Sequence, residues 1–384
     1  MIQPTRGAAA IVGVAESDLG EVAPGLTPID LMAQAVGRAL DDAGLALGDV
    51  DGVFGTTSQA RLPTLALCEY LGIVPRYSDA TNIGGASFMV HLRHAALAIE
   101  AGLCDVAVIA HGCTQRTIGR GLAQVRDHNP FETPFKPFLP ATAYALAAAR
   151  HMHQYGTTRA QLAEVAVAAR KWAQLNPVAW DRSPLTIEDV LGAPMVSWPL
   201  TVRDCCLVTD GGGAVVVTSA ARAKNLRKPP IYLLGAGEAT SHLSISSMTD
   251  LTVTGAALSG AAAYRAAGIG PGDVDVAELY DAFSINPILF LEDLGFCPKG
   301  EGGRFVENGH IAPGGGFPVN TNGGGLSYNH PAMYGLLLLI EATRQLRGEC
   351  GERQVGNPRI ALAHGNGGVL SSQATVILGT GETL

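Results

Sequence analysis

Apolar positions along this 384-residue chain fall into two kinds of run: helix-length stretches with periodic polar faces, and short, almost unbroken apolar segments. Pro28 to Asp42 reads as a helix, followed by AGLALGDVD (Ala43 to Asp51) and a strand-like Val53-Phe54. Leu251 to Ala266 reads as a second helix, followed by AGIGPGDVD (Ala267 to Asp275) and the strand-like Val276 to Leu279. Six of the nine positions in the two connecting segments are identical, at an offset of 224 residues. A second echo comes later in the same order: VAVIAHG ends at Gly112 and IALAHG at Gly365, each after a helix-like stretch. Near-continuous apolar strands alternating with helices are buried on both faces, which predicts an α/β fold with mostly parallel sheets. The ordered echoes predict that one α/β unit is duplicated.

Between the halves lies a different region, from Cys113 to about Pro199. It opens with the Pro- and aromatic-rich stretch NPFETPFKPFLP and then becomes helical. Thr158 and Gln161 form a capping box ahead of the apolar-periodic Leu162 to Ala173, and Asn176-Pro177 closes the helix. The chain is therefore divided into an N-terminal half (1–112 with 200–220), an inserted loop domain (113–199) and a C-terminal half (221–384).

Composition narrows the function. With 47% apolar and 16% charged residues the chain can bury a large core, and a net charge of −8 argues against nucleic acid as its partner. The insert differs locally: Thr114 to Arg182 holds nine Lys/Arg against four acids, a bias suited to the phosphates of a nucleotide-bearing substrate. No secretory signal is visible at the N-terminus, and the apolar run at Gly335 to Ile340 is cut short by Glu341 and Arg344, so no membrane span is expected. Seven cysteines without a CxxC pair or metal-like spacing suggest a reduced, cytoplasmic protein without a metal site.

Segments along almost the whole chain resemble the thiolase superfamily, within it the sterol-carrier-protein-X or lipid-transfer-protein type. They include IVGVAES, EAGLCDVAVIAHG, DCCLVTDGGGAVVV, ELYDAF, GFCPKGEGGRFVENG, NTNGGGLSYNHPAMYG and AHGNGG. The resemblance implies a five-layered αβαβα thiolase fold of two similar halves, with the inserted loop domain holding coenzyme A as part of the substrate and no other cofactor. It also implies a homodimer or larger assembly.

The resemblance places four motifs. The nucleophilic cysteine expected at a helix start falls on Gly85, so an acyl-enzyme there is excluded; Ser87 is the only hydroxyl nearby. The second motif reads Tyr280-Asp281-Ala282-Phe283, which puts a phenol where relatives carry Asn or His. The third, NTNGGGLSYNHP, supplies His330 to polarise a thioester carbonyl, with Tyr328 two residues earlier as a second acid or base; Pro331 is expected in the first turn of a helix from Ala332 to Leu346. The fourth, His364-Gly365-Asn366-Gly367-Gly368, replaces a cysteine by His364, with the Gly367 and Gly368 amides as a second oxyanion site. His111 occupies the matching strand end of the other half.

A site without a thiolate but able to hold a thioester enolate suits carbon–carbon cleavage or formation at the α-carbon of an acyl-CoA. The expectation is a lyase that cleaves a β-hydroxyacyl-CoA by retro-aldol reaction, with Tyr280 or Tyr328 as base. The site is similar to that of thiolase-like steroid side-chain aldolases, which work with a small OB-fold and zinc-ribbon partner. Two other readings stand beside it: an acyltransferase whose nucleophile is Cys113, Cys205, Cys206 or Cys297, and a non-catalytic acyl-CoA-binding subunit.

Overall fold

The computed structural model describes residues 3–118 and 129–384. Arg120, Arg126 and Asp127, counted in the charge bias of the insert, lie outside them. Eleven strands are present among the described residues: β1 (Ala9–Glu16), β2 (Gly52–Gly55), β3 (Tyr77–Asp79), β4 (Val106–Cys113), β5 (Met195–Ser197), β6 (Leu200–Thr201), β7 (Gly211–Ser219), β8 (Ile231–Thr240), β9 (Val276–Leu279), β10 (Ile360–Gly367) and β11 (Ser372–Gly379). Nine of them form one mixed sheet in the order β3-β2-β4-β7-β1-β8-β11-β10-β9, and β5 and β6 form a separate ribbon.

The sheet repeats itself. In the first half β4 runs parallel to β2 and antiparallel to β7; in the second half β10 runs parallel to β9 and antiparallel to β11. The halves meet through a short antiparallel contact of β1 with β8, Ala10 opposite Tyr232 and Ile11 opposite Ile231. The Pro28–Ala43 helix covers β1, β4 and β7, and the Ala256–Ala267 helix covers β8 and β11. The Ser87–Glu100 and Gly335–Arg347 helices touch each other and strands of both halves, so they form the central layer. With the two halves of the sheet joined only at β1 and β8, the order outer helix, half-sheet, central helices, half-sheet, outer helix is the five-layered arrangement that the resemblance implies.

Both outer helices are seated by the same device. A Cβ on Gly13 of β1 would lie 2.1 Å from the Ala39 carbonyl and 2.9 Å from Ala43 Cβ. A Cβ on Gly235 of β8 would lie 2.2 Å from the Ala263 carbonyl and 3.0 Å from Ala267 Cβ. Glycine in the strand facing two alanines one turn apart lets helix and sheet approach at backbone distance, and this contact is what the duplicated pattern encodes.

The insert contributes two long helices, Ala141–Tyr155 and Arg159–Gln174, the second capped by the predicted Thr158–Gln161 box. Both fasten to the C-terminal half. His151 bonds Glu292 Oε1 at 3.0 Å, Trp172 Nε1 donates to the Ile311 carbonyl at 2.9 Å, and Asn176 Nδ2 donates to the Asn322 carbonyl at 2.9 Å. No helix among the described residues is long and apolar enough to cross a membrane.

Gly13→Ala and Gly235→Ala are each expected to destabilise the fold by about 1–3 kcal/mol through overpacking. Gly37→Ala, in the Pro28–Ala43 helix with nothing within 4 Å of its Cβ, is expected to stabilise the fold by about 0.5–1 kcal/mol. Denaturant midpoints of the three variants check the opposite signs.

Candidate active site

A cavity of about 810 Å³ opens where the two halves and the insert meet. Its walls include Gly84 and Gly85 ahead of the central Ser87–Glu100 helix, Tyr280 after β9, His330 and Ala332 from the Gly-rich loop, and Asn366, Gly367 and Gly368 at the end of β10. The insert adds Pro140 and Tyr144, and Thr57 to Arg61 line the remaining wall.

Gly85 and Tyr280 are one structural unit. A Cβ on Gly85 would sit 2.1 Å from Tyr280 Cε2 and 2.7 Å from its Cζ. The phenol ring thus fills the space into which a side chain at position 85 would project. Gly335, at the start of its helix, presses on the same point: its Cβ would meet the Gly85 carbonyl at 2.0 Å.

The Tyr280 hydroxyl lies 3.2 Å from His330 Nε2 and accepts the Tyr334 backbone N–H at 3.1 Å; a longer contact of 3.5 Å runs to the Ala332 carbonyl. The two rings meet edge to face at 5.6 Å. Burial pushes the Tyr280 phenol well above its ordinary range and holds the His330 imidazole down at about 4, so both are neutral near pH 7.

The Gly-rich loop is shaped to deliver His330. Its Gly324–Tyr328 segment is a single wide π-helical turn, a geometry common at functional sites. Asp281, next to Tyr280, accepts the Gly325 N–H at 2.6 Å and the Leu326 N–H at 3.3 Å. A Cβ on Gly324 would lie 2.0 Å from the Asp281 carboxylate, so the loop needs glycine there. Burial raises Asp281 to about 7. The second and third motifs are therefore tied together by one carboxylate. Beyond His330 the expected helix does not begin at Ala332: that residue has φ +60°, and the helix starts at Gly335. Pro331 sits in the tight turn before it, which leaves the Tyr334 N–H free to reach Tyr280.

The remaining predicted residues divide. Gly367 and Gly368 line the cavity, and the Gly368 carbonyl is occupied by the Tyr144 hydroxyl at 2.9 Å. Tyr328 does not line it: its hydroxyl donates to Glu16 Oε1 at 2.9 Å, beside the Arg344–Glu16 ion pair. His364 does not line it either. It is fully buried against Phe290, with Nδ1 on Thr375 Oγ1 at 2.8 Å and Nε2 on Gln373 Oε1 at 2.9 Å. His111 is bonded likewise, to the carbonyls of Thr56 and Pro331. Ser87 donates to the Gly84 carbonyl at 2.6 Å and accepts the Ile83 N–H, so its hydroxyl is engaged.

Of the candidate thiols only Cys206 lines the cavity. Burial and the nearby Cys205 and Asp281 raise it far above its ordinary range, which leaves it protonated and a poor nucleophile. Cys113, Cys205 and Cys297 are each pushed up to about 12 by burial and stand outside the cavity wall.

Sequence reading missed Tyr144 and Asn366 as cavity residues and Asp281 as the anchor. Asn366 lies within a segment whose first member drew attention instead. No sequence signal marks Tyr144, which reaches the site by stacking on Phe283 at 4.4 Å.

The chain is similar to known proteins along almost its whole length. Residues 237–380 match the thiolase C-terminal domain-like family. The chain is 34% identical to an acetyl-CoA acetyltransferase of Methanothermobacter thermautotrophicus over 96% of its length and 98% of that protein. It is 34% identical to the 17-hydroxy-3-oxo-4-pregnene-20-carboxyl-CoA lyase of Mycobacterium tuberculosis over 94% of its length and 97% of that protein. Among solved structures it superposes on the Ltp2–ChsH2(DUF35) aldolase with a TM-score of 0.89 and 32% identity, covering 99% of this chain and 100% of that one. Human mitochondrial 3-ketoacyl-CoA thiolase, at a TM-score of 0.73 and 16% identity over 98% of this chain and 99% of that one, shares the fold. With a duplicated α/β fold and relatives of 34% identity matched almost end to end, the chain belongs to the thiolase superfamily.

Proposed function

We propose that this protein is an acyl-CoA lyase that cleaves a β-hydroxyacyl-CoA by a retro-aldol reaction. The observation that carries the reading is the Tyr280 ring over Gly85, with its hydroxyl 3.2 Å from His330 Nε2. The place of a thiolase nucleophile is taken by a phenol coupled to a neutral imidazole, and that pair moves protons without forming an acyl-enzyme. A lyase and an aldolase among the relatives support the reading.

In this scheme the β-hydroxyl gives its proton to the Tyr280 oxygen while the Tyr280 proton passes to His330 Nε2. The O–H electron pair becomes the second bond of the departing carbonyl, and the Cα–Cβ pair moves into the thioester enolate. The imidazolium of His330 stands beside that enolate and the Tyr334 N–H beside the phenol oxygen, so developing charge meets fixed donors. Return of the proton through Tyr280 to Cα completes an aldehyde or ketone and a shortened acyl-CoA. Tyr280 and His330 are the catalytic residues, and Gly85 makes room for them. The Gly367 and Gly368 backbone belongs to the same wall.

The 113–199 insert is assigned to coenzyme A binding, since it closes the cavity through Pro140 and Tyr144 and carries the basic bias. A second copy of the chain and a small OB-fold and zinc-ribbon protein are proposed as partners. The two-component name of the Ltp2–ChsH2(DUF35) aldolase supports the latter. Seven free thiols accord with a reducing cytoplasm.

Tyr280→Phe is expected to lower kcat for cleavage of a β-hydroxyacyl-CoA by about 10²–10⁴, the range of a lost acid–base group, with an unchanged circular dichroism spectrum. Full activity in that variant, assayed with the partner present, removes the proposal.

The pH profile is a second check. His330 must be neutral to take the proton, and burial holds it at about 4. The His330 limb of kcat/KM should therefore lie at about 4 and not at about 6.5, where an ordinary histidine titrates, while a limb at about 7 belongs to Asp281 and persists in His330 variants. Burial raises Tyr280, so its phenol gives no alkaline limb below its ordinary pKa. A limb near neutrality that vanishes in His330→Asn contradicts the neutral-imidazole scheme.

A further inference from the structure

The fourth motif sends one side chain into the cavity, that of Asn366, and a chain of hydrogen bonds behind it settles which way its amide points. The chain ends on a group with no choice: the Gly368 carbonyl can only accept. Tyr144, 2.9 Å away, must therefore spend its single proton there. Its oxygen is then an acceptor toward Asn366, which must turn its nitrogen to it, Nδ2 to hydroxyl 2.8 Å. The Asn366 oxygen in turn receives Gln373 Nε2 at 2.8 Å, and the Gln373 oxygen faces His364 Nε2 at 2.9 Å. His364 must carry its proton on Nε2 and accept from the Thr375 hydroxyl on Nδ1, 2.8 Å away. Tyr144 aside, the side chains of this chain belong to β10 and β11, and all are buried.

Among the described residues two hydrogens of the chain have no acceptor, the second on Asn366 Nδ2 and the second on Gln373 Nε2, and of these two side chains only Asn366 lines the cavity. Its side-chain amide lies beside Tyr144 of the same wall, and its backbone carbonyl lies 2.7 Å from the point that a Cβ on Gly85 would occupy.

We propose that Asn366, not His364, is the residue of the fourth motif that meets the substrate, its free amide hydrogen donating to the thioester oxygen, and that His364 is a positioning residue which fixes that amide through Gln373. The assignment rests on the acyl-CoA reading of the cavity. The sequence reading gave proton transfer in this motif to His364 and its oxyanion contacts to the Gly367 and Gly368 amides. His364 transfers no proton to substrate: both its nitrogens are engaged and it stands outside the cavity wall. It prevents Gln373 from turning over, and Gln373 in turn prevents Asn366 from presenting its oxygen to an oxygen of the substrate.

Isotope-edited infrared spectroscopy of acetyl-CoA labelled with ¹³C at the carbonyl, bound to the full-length protein, tests this without any bond being cleaved. In the wild type the carbonyl band is expected below its position in free acetyl-CoA. Asn366→Ala and the same-sized Asn366→Asp should each move it back toward the free position. His364→Asn or Gln373→Leu should move it part of the way. Asn366→Ala should also lower kcat/KM by about 10²–10³, as loss of one oxyanion donor does, while His364→Asn keeps the shape of the pH profile. A band unmoved in both Asn366 variants with acetyl-CoA still bound, or a lost pH limb in His364→Asn, overturns the assignment. Failure of the wild type to bind acetyl-CoA instead overturns the acyl-CoA reading itself.

Discussion

The site depends on one contact: the face of Tyr280 against the bare backbone of Gly85. Two atoms cannot share the 2.1 Å that would separate Cε2 from a Cβ at position 85. A phenol at 280 and any side chain at 85 are therefore mutually exclusive in this backbone. From that exclusion follow the loss of an acyl-enzyme, the approach of the phenol to His330, and the use of the Gly335 helix start as the source of the N–H that meets the phenol oxygen.

The contact persists because its surroundings leave it little freedom. Asp281 clamps the Gly-rich loop from below, and Ala332 holds a left-handed conformation, φ +60°, that costs on the order of 1 kcal/mol or more for a non-glycine residue. The packed loop, turn and central helix offset that strain. The site lies on the central layer, where helices from both halves touch, so its geometry is set by the most deeply buried part of the molecule.

The fold was legible because the duplicated segments encode a repeated physical contact. Gly13 with Ala39 and Ala43, and Gly235 with Ala263 and Ala267, recur because both outer helices must approach the sheet equally closely. Gly85, Tyr280 and His330 were legible because their motifs fix spacing around a helix start and a strand end. Tyr328 and His364 were misplaced for a different reason. Spacing identifies the strand or loop that reaches the cavity, and alternation identifies a face, but neither gives depth. His364 and Asn366 share one face of β10 by the two-residue period, and only the second lies at the mouth. Tyr328 lies in the right loop, yet the π-turn carries its hydroxyl to Glu16. Tyr144 could not be read at all, since its partner Asn366 is 222 residues away and nothing local records the meeting.

The central claim is that no sulfur in this protein becomes acylated during turnover, although Cys206 lines the cavity. Intact-protein mass spectrometry after incubation with an acyl-CoA and rapid acid quench measures this directly. The mass should remain that of the unmodified chain under turnover. An added acyl group that maps to Cys206 contradicts the account and returns the site to acyl transfer through a thiol.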